Sequence, residues 1–453
     1  MVSFILPGNS ASGEYEVANS LRFNDDSSDY LSITPGSSSN TKKWTFSCWI
    51  KLGNIKNSFH SIFTAFTGST DQYNAVALDN SNRVVFITMD EGSGGVMNVI
   101  SNAMLRDPSA WYHIVTAYDS AQATDTNRVK GYINGTQVTS LSTSNYPAQD
   151  KTTYINSNNQ HNIGKRWNAN YYDGYMAEVV FIDGQALTPT SFGEFDSDTN
   201  IWKPIDVSGL TFGTNGFYLD FEDSSALGDD VSGNNNDFTV NNLTSVDQST
   251  DTCTNNFATF NSLAGGEGGA LPTFANGNLD IIRGSASWRT GIATIGGLTQ
   301  GKWYYECKAG TINASNAYIQ VGVSSESAAF TNVNSYHDSN YSYAYHWDGS
   351  KYVNNSATAS WGSAITTGDI VMIALDFDNN YIYAGLNGTW QNSGDPTSGS
   401  SGTGALSSLQ SGESWFPSVS VYNTTHEVNF GSPAFTISSG NSDGNGYGNF
   451  EYS

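Results

Sequence analysis

The chain has 453 residues, of which only 13% are charged, and a formal charge of −24 from 42 acidic and 18 basic side chains. So acidic a surface repels nucleic acid and anionic membranes, and neither is an expected partner. The chain is long enough for two or three domains, and its many turn-forming residues, together with the lack of amphipathic helical spacing, predict an all-β fold.

The N-terminal segment, residues 1–19, contains turn formers that break regular structure, and we interpret it as an arm. Its apolar patch lacks the basic flank of a signal peptide and the length of a membrane span, so we expect neither. The three cysteines, Cys48, Cys253 and Cys307, are widely spaced and form no metal or disulfide pattern. We therefore expect buried thiols in a chain that folds in a reducing cytoplasm.

The first domain is predicted over residues 20–200. Apolar and polar side chains alternate over residues 44–51, which predicts a half-buried strand, and further strand-like runs follow with the rhythm of a β-sandwich. The order of these runs resembles a laminin-G-like, concanavalin-type jelly roll over about residues 17–200. The resemblance is carried by SLRFN, DYLSI, WTFSCWIKL, WYHIVTAYD, GYINGTQV, NIGKRW and YDGYMAEVVFIDGQALT.

A connecting region, residues 201–270, contains a strand-like run at 217–221 and an Asn-rich turn at 228–237. Its aromatic side chains need burial, so we interpret it as an ordered bridge. A second sandwich is predicted over residues 271–436, followed by a polar C-terminal tail, residues 437–453. The second set of strands resembles the SPRY domain over about residues 272–436, on the runs GKWYYE, YIQVGV, GDIVMIALDFDNN, GLNG, WFPSVSVY and VNFG.

One hairpin pattern occurs in both predicted sandwiches. Residues 368–390 contain two strand-like runs that end at Asn387-Gly388, and residues 111–138 repeat the pattern with Asn134-Gly135. Asn-Gly favours a type I′ hairpin turn because both of its central residues need positive φ. We expect a shared core hairpin, in which Asp376 and Asp378 are turn acids without a catalytic role.

Enzymatic sites are weakly indicated. Retaining glucanases of the concanavalin type place three acids on one strand as Glu-x-Asp-x-Glu, where two carboxyls act as nucleophile and acid/base. In this chain Asp220 and Glu222 share a face of the predicted strand, but Tyr218 occupies the nucleophile position. We interpret the two acids as solvated residues at a strand end. No complete GxxxxGK(S/T) loop is present, and we expect no enzyme activity.

Calcium is the only candidate cofactor. Laminin-G-like sandwiches often hold this ion through loop oxygens, and two acidic turns could supply them. The alternative is that Asp and Asn in these turns bond their own backbone, and neither turn has a complete ligand spacing. The candidate ligands are Asp25, Asp26, Asp29, Asp229, Asp230 and Asp237.

Exposed aromatic side chains give the strongest functional signal, because the apolar faces of sugars stack on Trp and Tyr. The loop KRWNANYYD at residues 165–173 is one candidate, and the segment at 336–352 is the other. The stripe of aromatics at 341, 343, 345 and 347 is more readily explained as core lining. The candidate ligand-binding residues are Trp167, Asn168, Tyr171, Tyr172, Tyr336 and His337.

A laminin-G-like module followed by a SPRY-like module resembles structural proteins of marine tailed bacteriophages. The resemblance implies a virion protein, made in the host cytoplasm, whose arm contacts other virion proteins and whose loops bind a host surface glycan or protein. We expect a tail-fibre or receptor-binding protein, with a homotrimer suggested by analogy with fibres. Two alternatives stay open: a capsid decoration or head-fibre protein with a mainly structural role and, more weakly, a polysaccharide depolymerase.

Overall fold

The computed structural model describes residues 15–55, 58–69, 71–92, 95–167, 169–264, 271–326 and 342–452. The fold is nearly all β and forms two β-sandwich domains, as the sequence predicts. Among the described residues, one compact unit ends at Asn256 and the other begins at Phe257. No helix in the described part of the chain is long and apolar enough to cross a membrane.

The described residues of the first unit form eighteen strands, most of them in two antiparallel sheets. In chain order they are β1 (Ser20–Phe23), β2 (Tyr30–Ile33), β3 (Lys43–Leu52), β4 (His60–Phe66), β5 (Gln72–Leu78), β6 (Arg83–Glu91), β7 (Gly95–Met104), β8 (Trp111–Asp119), β9 (Val129–Ile133), β10 (Thr136–Gln137), β11 (Leu141–Asn145), β12 (Gln160–Ile163), β13 (Gly174–Asp183), β14 (Gly193–Phe195), β15 (Trp202–Pro204), β16 (Phe217–Leu219), β17 (Thr239–Asn241) and β18 (Gln248–Ser249). Sheet A has the order β10-β9-β8-β3-β13-β1-β18, with β16 also paired to β13, and sheet B has the order β11-β7-β6-β5-β4-β12-β2-β17. Strands β14 and β15 form a separate pair.

The core of the first sandwich lies between sheets A and B. Alternate residues of β3, namely Trp44, Phe46, Cys48 and Ile50, pack there against side chains of β4, β5 and β6. The half-buried strand expected at this position is in fact buried on both faces. The reason is that residues 187–253 and the segment at Tyr15–Val17 cover the outer face of sheet A.

The predicted bridge belongs to the first unit as far as Asn256. Its strands β15, β16, β17 and β18 pair within the first sandwich or lie on it, and its aromatics Trp202, Phe212 and Tyr218 complete the outer layer of sheet A. Burial of these aromatics is the physical reason that the bridge is ordered. From Phe257 onward the chain belongs to the second unit, in which Phe260 stacks on Phe274.

The second unit is a sandwich of two further sheets. Its strands are β19 (Thr273–Ala275), β20 (Asp280–Ile282), β21 (Trp288–Ile292), β22 (Lys302–Lys308), β23 (Tyr318–Ser325), β24 (Ser342–His346), β25 (Lys351–Val353), β26 (Ser356–Thr358), β27 (Ile370–Asp376), β28 (Tyr381–Leu386), β29 (Thr389–Trp390), β30 (Ser407–Ser408), β31 (Trp415–Tyr422) and β32 (Thr425–Asn429). Sheet C has the order β19-β20-β32-β22-β27-β28-β29, with β30 paired to β28, and sheet D has the order β21-β31-β23-β24-β25-β26. Tyr343 and Tyr345 lie in the core between the two sheets, so these members of the predicted aromatic stripe do line the core.

The shared hairpin is present in both units. Asn134 and Asn387 have φ of 47° and 49°, and each is followed by a glycine of positive φ, as a type I′ turn requires. Each asparagine also bonds both backbone groups of one residue on the neighbouring strand: Asn134 bonds His113 at 2.7 and 2.9 Å, and Asn387 bonds Ile370 at 2.8 and 2.9 Å. The turn acid Asp376 accepts hydrogen bonds from Asn379, which supports its structural role.

Candidate functional site

The loop between β12 and β13, residues 164–173, is held against strand β4. The hydroxyl of Thr64 donates to the carbonyl of Lys165 at 2.7 Å, and the backbone N–H of Ser61 donates to the carbonyl of Asn170 at 3.3 Å. Thr64 is fully buried, so the first bond is protected from water. These contacts place the aromatic loop predicted from the sequence beside β4, an interior strand of sheet B.

Arg166 organises the aromatic side chains of this loop. Its guanidinium carbon lies 4.0 Å from the ring centroid of Trp167, 4.7 Å from that of Tyr73 and 4.6 Å from that of Phe59. It also donates a hydrogen bond of 3.0 Å to the hydroxyl of Tyr73. Desolvation lowers the pKa of Arg166 from its ordinary value. We call Phe59, Tyr73, Arg166 and Trp167 the Trp167 cluster.

Trp167 is partly exposed and has a backbone φ of 39°, in the left-handed region that a bulky residue seldom adopts. Its ring meets that of Tyr73 edge-on, with centroids 5.4 Å apart. Strain of this kind persists only where surrounding contacts determine the conformation. The Arg166 and Tyr73 contacts therefore hold the indole in one orientation, with part of its surface open to a ligand.

A second cation–π group lies beside the Trp167 cluster. The ammonium of Lys165 is 3.7 Å from the ring centroid of Tyr30 and 5.8 Å from that of Tyr171. Both tyrosines are partly exposed, and their ring centroids are 6.3 Å apart. Lys165 and Arg166, which are adjacent in the loop, thus each contact a set of aromatic rings through cation–π interactions.

The outer face of sheet B next to the loop carries small side chains. Ala75 and Ala77 are buried there, and Phe59 and Tyr73 pack against them. Asn162 of β12 is also fully buried, and within the described residues neither atom of its amide has a hydrogen-bond partner. Its pairing partner Thr64 is the residue that binds the loop. A buried amide without partners costs free energy, which makes it a feature to be tested in ligand binding.

Among the residues predicted to bind a ligand, Trp167 and Tyr171 do lie on this surface. Tyr172 does not, which corrects the prediction: it is fully buried, its ring packs edge-on against Phe23, and its hydroxyl donates to the carbonyl of Lys51. Tyr171 and Tyr172 are adjacent in the loop, but their side chains point in opposite directions. Loop position alone therefore does not predict which of the two is buried. The other three candidates, Asn168, Tyr336 and His337, lie outside the described residues.

The calcium candidates lie in two turns, where carboxylates accept hydrogen bonds from neighbouring turn residues. Both carboxylate oxygens of Asp230 accept hydrogen bonds from turn residues or from the start of β16, and Asp237 accepts one from the backbone of Asp230. Asp29 likewise binds Asn24 and Ser27, and desolvation raises its pKa to about 6. The remaining candidates, Asp25, Asp26 and Asp229, complete the two turns. Across the described residues no group of three or more acidic, histidine or cysteine side chains is arranged to hold a metal.

The strand proposed for glycoside chemistry ends in an acid turn. Glu222 is exposed, and its backbone N–H donates to the carboxylate of Asp220 at 3.1 Å. Tyr218 donates instead to a buried acid that sequence reasoning missed, Glu178 of β13, with Oη 2.9 Å from Oε1. Desolvation raises the pKa of Glu178 to about 7. A second tyrosine, Tyr15, donates to the same carboxyl at 3.0 Å, so Glu178 is enclosed by protein groups.

Ser47 and His113 form a buried pair whose proton arrangement opposes nucleophilic catalysis. The indole N–H of Trp202 donates to Nδ1 of His113 at 3.0 Å, so Nδ1 carries no proton. Nε2 therefore carries the proton and donates it to Ser47 Oγ at 2.8 Å. Desolvation lowers the pKa of His113 to about 3, and the ring cannot accept the hydroxyl proton through Nε2.

The sequence reasoning identified the loop but not its partners. Tyr73 and Phe59 come from strand β5 and the approach to β4, about a hundred residues before Trp167, and no local pattern connects them. Arg166 was part of the quoted loop, and a cation beside a tryptophan is a usable signal for cation–π packing. Tyr30 could be found only through the pairing of β2 with β12.

Comparison with known protein families identifies both sandwiches. A family model described as the concanavalin A-like lectin/glucanases superfamily matches residues 25–191, and one described as the SPRY domain matches residues 302–433. The chain therefore contains a concanavalin A-like domain followed by a SPRY domain, which confirms both resemblances seen in the sequence. A search of curated proteins found no match.

Some solved structures are similar to parts of the chain at low sequence identity. The SPRY domain of human HERC1 is 18% identical, with 33% of this chain and 87% of that chain covered and a TM-score of 0.27. Another human SPRY domain is 17% identical, with 33% and 88% covered and a TM-score of 0.25. A heptameric SAP-like pentraxin from Limulus polyphemus is 12% identical, with 38% and 80% covered and a TM-score of 0.29. We draw no functional argument from similarities of this size.

Proposed function

We propose that this chain is a non-enzymatic surface protein of a tailed-phage virion, of the tail-fibre or receptor-binding type, and that its concanavalin A-like domain binds a host surface glycan. The single observation that carries the binding proposal is Trp167: a partly exposed indole held in a left-handed conformation by a guanidinium at 4.0 Å. A fixed aromatic face suits a sugar ring, because little conformational entropy is lost when the ligand stacks on it. The virion location rests on the pairing of the two domain types.

The surroundings of Trp167 suit the recognition of a ligand. Tyr171, Tyr73 and Arg166 supply further rings and N–H groups beside it. A glycan would gain contact area from the rings, and its hydroxyls would meet polar groups such as the guanidinium of Arg166 and the hydroxyl of Tyr73. Single contacts of this type are weak, and repeated copies on a particle would raise the avidity.

Binding to host cells tests the proposal. Purified wild-type protein and Trp167→Ala are incubated with host cells and with isolated surface polysaccharide, and the retained fraction is measured. We expect Trp167→Ala to weaken retention about tenfold, the effect of losing one well-packed aromatic contact. The matched control is Trp303→Ala, since Trp303 is 42% exposed but lies in the SPRY domain.

Each outcome decides between functions. Equal retention of wild type and Trp167→Ala on cells would contradict the glycan site and favour a protein receptor bound elsewhere. No retention of wild type would favour the capsid decoration or head-fibre role, in which the domains contact only other virion proteins. Release of reducing ends from the polysaccharide, lost in Asp220→Asn or Glu222→Gln, would show a depolymerase and overturn the non-enzymatic proposal.

A further inference from the structure

A buried lysine lies between a carboxylate and an amide in the first unit. Lys51, near the end of β3, has its Nζ 2.6 Å from Oδ2 of Asp251 and 2.7 Å from Oδ1 of Asn256. The side chains of Lys51 and Asp251 are 0% and 1% exposed. The two partners lie some two hundred residues away in sequence, in the segment that ends the unit.

The amide of Asn256 has a defined orientation. Its Nδ2 donates to the backbone carbonyl of Ser109 at 2.7 Å, and its Oδ1 accepts from Lys51. Exchanging the two amide atoms would place a donor against an ammonium and an acceptor against a carbonyl, so only this orientation satisfies both partners. The carbonyl carbon of Asn256 is thereby turned toward the amine of Lys51, and the amide nitrogen is turned away from it.

Asp251 is placed to carry a proton between these groups. Its Oδ1 accepts the indole N–H of Trp111 at 3.0 Å, which leaves Oδ2 directed at Lys51. In a site this dry the charged pair loses most of its hydration, and desolvation is the main cause that lowers the pKa of Lys51. A neutral amine beside a protonated carboxyl is therefore accessible, and the neutral amine is the nucleophile.

We propose that Lys51 and Asn256 join spontaneously in an isopeptide bond, with Asp251 as the acid/base group. Lys51 gives one proton to Asp251, and its Nζ then attacks Cγ of Asn256 to form a C–N bond. The bond from Cγ to Nδ2 breaks as Asp251 passes this proton to the leaving nitrogen, and the regained carboxylate accepts the second proton that Nζ loses when it becomes an amide nitrogen. The products are one amide, one ammonia and a protonated Asp251, and no oxidant, reductant or co-reactant is required.

Such a bond would fasten β3 of sheet A to the segment that closes the unit. The chain between positions 51 and 256 would become a covalent ring, which restricts the unfolded ensemble as a disulfide over a long loop does. This link needs no oxidising compartment, which suits a chain whose three cysteines, all in the described part, are buried without a disulfide.

Mass spectrometry of the denatured full-length protein tests the proposal. We expect a mass lower than that of the sequence by one ammonia and, after proteolysis, a branched peptide that contains both Lys51 and Asn256. Lys51→Arg keeps a cation beside Asp251 but cannot form the amide, so it should restore the full mass. Asp251→Asn should leave the link unformed or slow it by orders of magnitude.

Two alternative reactions have distinct signatures. A succinimide at Asn134-Gly135 or Asn387-Gly388 also loses ammonia, but it would persist in Lys51→Arg and give no branched peptide. A link to Asp251 would lose water instead. Either result, or a wild-type protein with the full sequence mass, overturns the proposal. The wild-type measurement alone is decisive even if a variant fails to fold.

Discussion

Both sandwiches carry a buried glutamate on the outer side of the sheet that contains the Asn-Gly hairpin. In the concanavalin A-like domain, Glu178 accepts hydrogen bonds from Tyr15, near the N-terminus, and from Tyr218 of the predicted bridge. In the SPRY domain, Glu306 accepts them from the backbone N–H groups of Glu451 at 3.0 Å and Tyr452 at 2.7 Å. Each glutamate thus fastens a distant segment of the chain across a sheet.

The donors differ in what they allow the acid to do. Backbone N–H groups can only donate, so the Glu306 site favours a carboxylate, which also accepts from the side-chain amide of Asn429 at 3.2 Å and from the hydroxyl of Tyr304 at 2.9 Å. Tyrosine hydroxyls can donate or accept, so the Glu178 site accommodates either protonation state. Desolvation raises the pKa of both acids. The same structural device thus relies mainly on N–H donors in the SPRY domain and on tyrosine hydroxyls in the concanavalin A-like domain.

The two domains also resemble each other in the glycines of their hairpin turns and in one buried cysteine of each core. Gly135 lies under Trp202, and Gly388 lies under Tyr452. The turn asparagines bond His113 in one hairpin and Ile370 in the other. Cys48 pairs with the residue after His113, and Cys307 pairs with the residue after Ile370. The two thiols therefore occupy equivalent positions in the two cores.

The largest expected difference concerns the turn glycines. An alanine Cβ at Gly135 would lie 2.3 Å from a ring carbon of Trp202, whose indole is fixed by its bond to His113. Positive φ and the overlap together should cost roughly 3 to 4 kcal/mol of unfolding free energy. At Gly388 the nearest ring atom of Tyr452 is 2.9 Å away, and only the strain of about 1 to 2 kcal/mol is expected. Calorimetry of Gly135→Ala and Gly388→Ala measures both, and equal losses would show that Trp202 can move.

Glu306→Gln should release the C-terminal segment. One carboxylate oxygen becomes an NH2 group that faces a backbone N–H, so a buried donor loses its acceptor at a cost of about 1 to 3 kcal/mol. Hydrogen exchange at Glu451 and Tyr452 reports the release. Unchanged protection at both amides would contradict the role of Glu306.

Glu178 should make the first domain less stable as the pH rises. Its folded pKa of about 7 lies above the ordinary value of 4.5, so its contribution is complete below about pH 4.5 and is lost as the pH rises through 7. Between pH 6 and pH 8 the unfolding free energy should fall by about 1 kcal/mol. Glu178→Gln should remove this slope, whereas Glu306→Gln should retain it. A wild-type profile that is flat over this range would show that Glu178 is already ionised.

The sequence was sufficient where local pattern determines structure. The Asn-Gly turns follow from the φ that each residue tolerates, and alternation identifies the inner face of β3. The roles of Glu178 and Glu306 could not be predicted, because a glutamate in a strand reads as solvated until the segment that covers it is known. The same holds for Tyr171 and Tyr172, adjacent residues of one loop, of which only the second is buried in the core.

The smallest expected effect tests the equivalence of the two core thiols. Cys48→Ala and Cys307→Ala each remove one sulfur atom from a fully buried site, and each should lower the unfolding free energy of its own domain by about 1 kcal/mol. Burial also raises the pKa of both thiols, so neither should react with a thiol reagent before unfolding. Cys253→Ala is the control, since Cys253 packs outside both cores, on the outer face of sheet A. If one core substitution cost several times more than the other, the two hairpins would share a turn but not a packing arrangement.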